Sequence, residues 1–381
     1  MNNVKLSEIF ELQMGKTPDR NNPVFWSGEN KWISISDLGN CHKFIFQTKE
    51  TISNEGIKNS GIKKVPKNTV IMSFKLSIGK TAITTDDMYT NEAIMAFIDK
   101  KKYQININYI YHLFSNFNWA LNTNKAVMGL VLNKAKLSQI KIPIPSIKEQ
   151  NYIANVLDKI DDIINLRRTQ LNELDLLVKS RFNEMFGDIN INNKGWKTYP
   201  LGSLCNIYRG GSPRPIKKFL GGTIPWIKIS DATDNNNIYI TSTKEHIIEE
   251  GLKKTRLVKS GSLIFANCGV SLGFARIITF DGCIHDGWLS FENIDTRIDK
   301  RFLLQSLNRM TKHFRETAPA GTQPNLNTSI MKSYEQILPP INMQHEFILF
   351  IDEVEKSKVE IQKSLDKLEM LKKSLMQQYF G

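Results

Sequence analysis

Residues Pro145–Gln150 read Pro-Ser-Ile-Lys-Glu-Gln, and residues Pro339–Gln344 read Pro-Pro-Ile-Asn-Met-Gln, a step of 194 positions. The same step separates Ser180–Gly187 from Ser374–Gly381, and both of these segments end in Phe-Gly. A surface loop between the motifs would tolerate insertions, yet no residue is gained or lost between them. The enclosed segment is therefore predicted to be a duplicated helix whose length matters.

The sequence outside these segments repeats at nearly the same step. Met14-Gly-Lys-Thr-Pro18 corresponds to Arg209-Gly-Gly-Ser-Pro213, and Lys31-Trp-Ile-Ser-Ile-Ser-Asp37 corresponds to Pro225-Trp-Ile-Lys-Ile-Ser-Asp231. Short apolar runs between Gly, Pro and Asn clusters predict strands, so we expect a mixed α/β (α+β) fold. The predicted organisation is a globular domain at 1–145, a long helix at 146–187, a linker at 188–197, a second globular domain at 198–340 and a second long helix at 341–381.

Apolar residues recur at heptad spacing in both predicted helices, which favours their packing on each other as a coiled coil. About 40 residues at 1.5 Å each make a helix of roughly 60 Å, too long to bury its apolar stripe on one small domain. The alternative is that each helix covers its own sheet. The predicted packing residues are Ile153, Leu157, Ile160, Ile164, Leu171, Leu174 and Val178 in the first helix and Phe347, Ile351, Val354, Ile361, Leu365, Leu368 and Leu375 in the second.

The positive charge of the chain lies outside these helices. The 381 residues carry a formal net charge of +13, of which residues 1–145 hold +8 and residues 188–340 hold +7. Each predicted helix segment has a net charge of −1. Two basic globular domains joined by balanced helices indicate a protein that holds nucleic acid at two places.

Lys and Arg neutralise phosphates, and Arg, Asn and Gln also read base edges. Such residues occur in corresponding loops of the two halves, whereas Trp32 and Trp226 are expected in the cores. The predicted nucleic-acid contacts are Lys16, Arg20, Lys75, Lys80 and Lys125 in the first half and Arg209, Arg214, Lys217, Lys228, Arg276, Gln323 and Asn325 in the second.

No catalytic residue and no metal site is predicted. Ile78–Thr81 resembles the end of a P-loop, but the Gly that this motif needs is replaced by Phe74. The four cysteines form no C-x-x-C pair and are expected to be buried free thiols. No apolar run approaches the roughly 18 residues of a membrane span, so we expect a cytoplasmic protein without a membrane partner.

This layout resembles the DNA-specificity subunit of type I restriction–modification systems. The resemblance rests on the Gly-x-Thr/Ser-Pro turns at Gly15–Pro18 and Gly210–Pro213 and on the Trp-Ile-x-Ile-Ser-Asp runs that end at Asp37 and Asp231. The duplicated Pro-x-x-x-x-Gln and Phe-Gly motifs of the helices complete the ordered set, which spans the whole chain.

The resemblance implies two target-recognition domains related by a pseudo-two-fold axis and separated by an antiparallel coiled coil. It implies double-stranded DNA as the ligand, read at an asymmetric bipartite site whose spacing the helices set. It also implies two methylation subunits and motor-nuclease subunits as partners. S-adenosyl-methionine, ATP and Mg would belong to those partners, and this chain would hold no cofactor.

Two other functions remain open from the residues alone. One is a stand-alone DNA-modifying enzyme with an unfamiliar site. The other is an RNA-binding or scaffold protein, because base stacking and positive charge also suit RNA.

Overall fold

A computed structural model provides the structure, and it describes residues 3–75, 77–119, 124–126, 129–232, 238–269, 271–319 and 324–381, with backbone alone at 124–126 and 129–131. The chain forms two compact units. Unit 1 comprises Met1–Thr169 and Gln362–Gly381, and unit 2 comprises Gln170–Ile361. The division falls inside both long helices, so each unit contains the start of one long helix and the end of the other.

The first half of the chain contains short strands and short helices followed by one long helix. Its strands are β1 (Asn3–Lys5), β2 (Phe10–Met14), β3 (Asn30–Ile33), β4 (Phe44–Ile45), β5 (Glu50–Ile52), β6 (Val70–Ser73), β7 (Thr81–Thr84), β8 (Tyr89–Thr90), β9 (Ile94–Asp99), β10 (Asn124–Ala126), β11 (Gly129–Val131) and β12 (Lys141–Pro143). Its helices are α1 (Leu6–Ile9), α2 (Ile35–Asn40), α3 (Asn54–Ser60), α4 (Ile107–Asn116), α5 (Lys134–Gln139) and the long α6 (Ile147–Phe186), with a 3₁₀ turn at Pro23–Trp26.

The second half repeats this order. Its strands are β13 (Thr198–Pro200), β14 (Asn206–Arg209), β15 (Leu220–Ile227), β16 (Tyr239–Ile240), β17 (Glu245–Ile247), β18 (Arg256–Val258), β19 (Leu263–Ala266), β20 (Ala275–Ile278), β21 (Gly282–Ile284), β22 (Trp288–Glu292) and β23 (Glu335–Ile337). Its helices are α7 (Leu201–Leu204), α8 (Lys300–Arg309), α9 (Thr311–Thr317), α10 (Thr328–Ser333) and the long α11 (Ile341–Phe380), with 3₁₀ turns at Ile216–Lys218, Ile229–Ala232 and Glu249–Lys254.

Corresponding strands form corresponding sheets in the two units. The main sheet has the order β2-β9-β6-β7-β4 in unit 1 and β14-β22-β19-β20-β16 in unit 2. Its strands β6 and β19 are apolar runs in which every residue is buried, as expected for strands covered on both faces. A second sheet pairs β3 with β5 and β8 in unit 1, and β15 with β17 and β21 in unit 2. The predicted mixed α/β class with an internal repeat is confirmed.

The ends of the long helices enter the cores of the units. In unit 2, the rings of Phe182 and Phe347 lie 5.3 Å apart, and Phe186 packs 4.9 Å from Phe302 of α8. In unit 1, Leu157 from the start of α6 and Met376 from the end of α11 share one buried cluster. Each fully buried Phe or Leu side chain contributes roughly 1.5–3 kcal/mol, so these ends anchor the helices firmly.

Between these ends the two long helices run antiparallel within each unit. In unit 1, Lys372 donates a hydrogen bond to Asp161, and Arg168 donates one to Glu369 at 2.7 Å. In unit 2, Lys358 Nζ donates a hydrogen bond to Asp175 at 3.0 Å, and Arg181 donates one to Glu346 at 2.8 Å. Partner numbers therefore fall along one helix as they rise along the other. Of the predicted packing residues, Ile153, Leu157, Ile160, Ile164, Phe347, Ile351, Val354 and Leu365 are buried, and Leu171, Leu174, Val178, Ile361, Leu368 and Leu375 are half-buried.

A buried glutamine fastens the start of each long helix to its own half of the chain. The Gln150 amide is fully buried; its Oε1 accepts from the Asn106 N–H at 2.9 Å, and its Nε2 donates to the carbonyl oxygens of Gln104 and Pro145. Asn106 is also the residue whose side chain caps helix α4. The glutamine thus ties the beginnings of two helices together.

Gln344 repeats this arrangement in unit 2. Its Oε1 accepts from the Asp299 N–H at 2.8 Å, and its Nε2 donates to the carbonyls of Arg297 and Pro339. Asp299 caps helix α8, the counterpart of α4. The repeated Pro-x-x-x-x-Gln motif is therefore explained by two matched sets of three buried hydrogen bonds.

An aspartate about two turns farther along each long helix makes a second attachment. Asp158 Oδ1 lies 2.5 Å from Lys43 Nζ and 2.6 Å from Nε2 of the buried His112. In unit 2 the corresponding Asp352 accepts a bidentate pair of hydrogen bonds from Arg301. Each long helix is therefore also held to its own half of the chain by charge.

In the described part of the chain, none of the helices combines the length and the apolar character that a membrane crossing requires.

Candidate nucleic-acid interface

The Gly-x-Thr-Pro turn of unit 1 docks on the end of β8 and on the residues that follow it. The Lys16 N–H donates to the Thr90 carbonyl at 2.9 Å, and the Thr17 hydroxyl donates to the Glu92 carboxylate. A Cβ on Gly15 would lie 2.0 Å from the Thr90 carbonyl oxygen, so only glycine permits this approach. The turn is therefore held rigidly to the sheet edge by main-chain and side-chain bonds.

The turn of unit 2 docks in the same way with different residues. The Gly211 N–H donates to the Ile284 carbonyl at 3.0 Å, and Ser212 Oγ donates to Asp286 Oδ1 at 2.8 Å. A Cβ on Gly210 would lie 2.5 Å from the Ile284 carbonyl oxygen. Glu92 and Asp286, which hold the turn hydroxyls, were not among the predicted site residues, although their shared position in the repeat could have indicated them.

Three predicted contacts of unit 2 converge beside this turn. Arg209 Nε donates to the Asp286 carbonyl at 2.8 Å, and an Arg214 amino group lies 4.0 Å from the Asp286 carboxylate. Lys228 extends over the ring of Trp226, 5.8 Å from its centre. Burial lowers the pKa of the adjacent His285, and the charges of Lys228, Arg214 and Arg209 lower it further against the opposing effect of Asp286.

These cations differ in whether their charged groups are paired within the protein or exposed to solvent. Lys228 Nζ also donates to Glu245, whereas the side chain of Arg214 is 82 % exposed. Lys217 is exposed on the 3₁₀ turn Ile216–Lys218, next to the equally exposed Lys218. The turn of unit 2 therefore presents exposed positive charge beside the buried Trp226 and the half-buried His285.

The second predicted loop of unit 2 reaches the same edge of the domain. The Asn267 main chain donates to the Gly287 carbonyl at 2.9 Å and accepts from the Leu326 N–H at 2.8 Å. Its side-chain amide donates to Asn325 Oδ1 at 3.1 Å. Asn325 is thus linked to the segment that carries His285 and Asp286, while Gln323 lies outside the described residues.

Unit 1 has the corresponding connection with different side chains. The Phe74 N–H donates to the Ala93 carbonyl at 3.0 Å, and the Phe74 carbonyl accepts from the Leu132 N–H at 3.2 Å. Lys75 follows at once, with its Nζ 5.4 Å from the centre of the Phe74 ring, and Lys80 is exposed at the end of this loop. Lys125 lies in strand β10, and its side chain is outside the described part.

The turn cations of unit 1 are occupied by internal partners. Lys16 Nζ donates to the Ser60 carbonyl at 2.9 Å. The Arg20 guanidinium makes a bidentate pair with Glu50 and stacks on Trp26, 3.7 Å from the ring centre. The two units therefore share a backbone frame but offer different side chains to a ligand.

Arg276 stands apart from these groups. It lies in the middle of strand β20, with its guanidinium 4.5 Å from the ring centre of Phe274 and bonded to the carbonyl oxygens of Ala275 and Ala232. Burial lowers the pKa of this guanidinium. The structure does not bring Arg276 together with Arg209, Arg214 and Lys228.

The described residues offer few groups for covalent or metal chemistry. No cluster of three His, Cys, Asp or Glu residues in the described part could hold a metal ion. Burial raises the pKa of the Cys205 thiol to about 12 and that of Cys283 to about 11, so both thiols are protonated at neutral pH.

The sequence profile described as "Type I restriction modification DNA specificity domain" matches residues 1–176 and again residues 193–372. The chain belongs to this family. The two matches follow the repeat and together cover most of the chain, so the resemblance inferred from the motifs is confirmed. As a specificity subunit, the chain is a non-catalytic subunit that recognises DNA sequence. Family membership thereby decides against a stand-alone DNA-modifying enzyme.

The chain is also similar to proteins that are named as specificity subunits. The "Type I restriction enzyme MjaIX specificity subunit" of Methanocaldococcus jannaschii is 24% identical over 98% of this chain and 90% of the relative. The "EcoR124I/EcoR124II specificity subunit" of Escherichia coli is 31% identical over 42% of this chain and 41% of its own length.

Solved structures share the fold of this specificity subunit. A chain from a study of "complex assembly and conformational transition of the type I R-M system" covers 100% of this chain with a TM-score of 0.68 and 16% identity, and 97% of that chain is matched. The type I S subunit from M. genitalium covers 98% of this chain, with 94% of its own length matched, a TM-score of 0.56 and 12% identity.

Proposed function

We propose that this specificity subunit directs methylation and restriction subunits to an asymmetric bipartite DNA site, of which each unit reads one half. The observation that carries this proposal is the duplicated turn. Gly15 and Gly210 bring the turns onto the same sheet edge through the same backbone contacts, but the residues that follow differ between the units. Two turns with the same backbone contacts but different side chains are suited to read two half-sites of different sequence.

The charge of the chain supports DNA as the ligand of both units. Residues 1–145 and 188–340 carry net charges of +8 and +7, whereas 146–187 and 341–381 carry −1 each. Duplex DNA has one phosphate charge per about 1.7 Å of its axis, so two basic domains gain affinity from one continuous duplex. In this proposal the length of the long helices sets the number of base pairs between the half-sites.

The long helices also carry surface that partner subunits would cover. Leu176, Leu349 and Met370 are 60%, 66% and 65% exposed, although large apolar side chains are usually buried. We place two methylation subunits on this subunit, one for each repeat, together with motor-nuclease subunits. The use of S-adenosyl-methionine, ATP and Mg²⁺ belongs to those partners.

The test is the methylation pattern of DNA from cells that hold the partner genes with and without this chain. We expect one bipartite sequence with two unlike halves and a fixed spacer to become methylated when the chain is present. Methylation that is unchanged by the chain, or a site consisting of one continuous element, would contradict the proposal. Competition between duplex DNA and RNA of the same sequence for the purified complex tests the remaining RNA-binding alternative.

A further inference from the structure

A cavity of about 580 Å³ opens beneath the turn of unit 2. We name it the turn pocket, and its lining includes Pro213, Arg214, Pro215, Ile216, Trp226 and His285. Pro213 and Trp226 are buried, and Ile216 is half-buried. The pocket therefore has apolar walls inside a basic part of the surface.

The polar groups of the pocket wall are mostly engaged with the protein. Ser212, also in the lining, donates to Asp286. His285 Nδ1 accepts from the Gly287 N–H at 2.9 Å, and its Nε2 lies 3.0 Å from Asp286 Oδ1. Trp226 is 4% exposed, and its Nε1 has no hydrogen-bond partner in the described part of the chain. An apolar group would complement these walls.

The corresponding space of unit 1 is filled by side chains. Trp32, the counterpart of Trp226, packs edge-to-face with Trp26 at 5.0 Å, and Arg20 lies 4.9 Å from its ring centre. Trp32 Nε1 donates to the Lys16 carbonyl at 3.0 Å. In unit 1 the ring of the equivalent tryptophan is thus covered by Trp26 and Arg20, and its indole N–H is hydrogen-bonded.

The charge around the turn pocket favours DNA as the source of its ligand. Arg214 lines the pocket and is exposed, and Lys228 Nζ lies 5.8 Å from the centre of the Trp226 ring. Arg209 is bonded to Asp286 beside His285, and the exposed Lys217 and Lys218 follow Ile216 along the chain. Such cations draw the phosphate backbone close and fix its position, while the apolar wall contacts a base. Thymine presents an apolar C5-methyl group at its major-groove edge, which distinguishes it from the other bases.

We propose that the turn pocket of unit 2 receives the major-groove edge of a thymine in one half-site, and that unit 1 reads its half-site without such a pocket. This inference rests on the proposed function and adds the base class that one unit recognises.

The experiment uses the subunit assembled with its methylation partners and a duplex that carries the site found by methylation mapping. Each thymine is replaced in turn by uracil, which removes only the C5-methyl group. Loss of one buried methyl lowers affinity about fourfold, and we expect this at one position of one half-site. Ile216→Trp fills the turn pocket. In this variant, the affinities for the thymine and uracil duplexes at that position should become nearly equal.

Asn21→Trp is the matched control, because Asn21 occupies the corresponding place in the turn of unit 1 and is exposed. It should leave the uracil effect intact. If the larger side chain of Ile216→Trp prevents folding, Ile216→Ala is used instead. It should reduce the ratio of the affinity for the thymine duplex to the affinity for the uracil duplex. If the wild-type complex binds the duplex with every thymine replaced by uracil as tightly as the original duplex, the thymine pocket is overturned but the proposed function is not. A site whose two halves contain no A·T pair would have the same consequence. A chain that directs no methylation overturns the proposed function and this inference together.

Discussion

Arg214 and Arg20 lie in the two corresponding turns, but their guanidinium groups are in different situations. Arg20 is bound to Glu50 and stacked on Trp26, whereas the nearest ion-pair distance of Arg214 is 4.0 Å, to Asp286. A cation that is already paired releases fewer counterions when it meets a phosphate. The two turns should therefore contribute unequally to the salt dependence of DNA binding.

Arg214→Ala is expected to make the negative slope of log K against log salt less steep by about one, because one phosphate contact is lost. Arg20→Ala should change the slope less. The measurement is the affinity of the assembled complex for its site between about 50 and 200 mM salt. An equal loss of slope in both variants would show that the Glu50 pair opens when DNA binds.

Gln150 and Gln344 allow a test of the duplicated buried hydrogen bonds. Replacement by Met keeps the size of the side chain but leaves two buried carbonyls and one N–H without their partner in each unit. With about 1–3 kcal/mol for each unsatisfied buried group, each variant should lose at least about 3 kcal/mol of stability.

Urea unfolding of Gln150→Met and Gln344→Met, followed by circular dichroism, measures this loss. Gln362→Met, at an exposed position of the second long helix, is the control and should change stability little. Losses below about 0.5 kcal/mol in both buried variants would show that water replaces the amide.

The sequence alone predicted the positions of these residues better than their contacts. A step of 194 placed Gln150 over Gln344, and a step of 195 placed the two turns over each other, because repeats preserve spacing. The side-chain direction of a long cation is not determined by spacing. Arg276 folds inward over Phe274, and Arg20 over Trp26, because the faces of these rings attract the guanidinium groups.

At the scale of elements, heptad spacing sufficed to predict two long helices, since a 3.5-residue apolar repeat is strong evidence over 40 residues. It could not show that each helix also enters two cores through its ends. It also left out Asp158 and Asp352, whose identical step of 194 was a usable signal. Lys358 and Lys372, which interrupt the apolar spacing, bond to aspartates of the neighbouring helix.

The attachment of α6 through Asp158 should depend on pH. Burial alone would raise the pKa of the Asp158 carboxyl, but hydrogen bonds from His112 and Lys43 outweigh it and hold the pKa below its usual value. The carboxyl is therefore easier to protonate in the unfolded chain. Its contribution to stability is complete above the unfolded pKa of about 4 and is lost as the pH falls through the lower folded value.

Asp158→Asn should lower the stability of the protein by about 1–2 kcal/mol at pH 7, because Lys43 and His112 lose their charged partner. The difference between variant and wild type should shrink as the pH is lowered from about 6 to 3. Thermal unfolding across this range measures it, and the exposed Asp162→Asn is the control. A difference that grows towards low pH would contradict the assignment of Asp158 as the stabilising anion.

At the scale of the whole molecule, the proposed function makes the length of the long helices a determinant of the DNA site. The pairs Asp161–Lys372 and Asp175–Lys358 fix the register of the two antiparallel helices. A deletion that preserves these pairs must therefore remove the same number of residues from both helices. Deletion of residues 168–174 together with residues 359–365 removes one heptad from each and keeps the apolar spacing. Seven residues at 1.5 Å correspond to about 10 Å, or roughly three base pairs at 3.4 Å each.

We expect the doubly shortened subunit to direct methylation to the same two half-sites with a spacer about three base pairs shorter. Methylation mapping in cells that hold the partner genes measures the spacer. Deletion of 168–174 alone breaks the register and should abolish assembly, which makes it the control for the matched pair. A double deletion that assembles and retains the original spacer would contradict the role of the helices as a spacing element, because DNA flexibility or the partner subunits would then fix the distance.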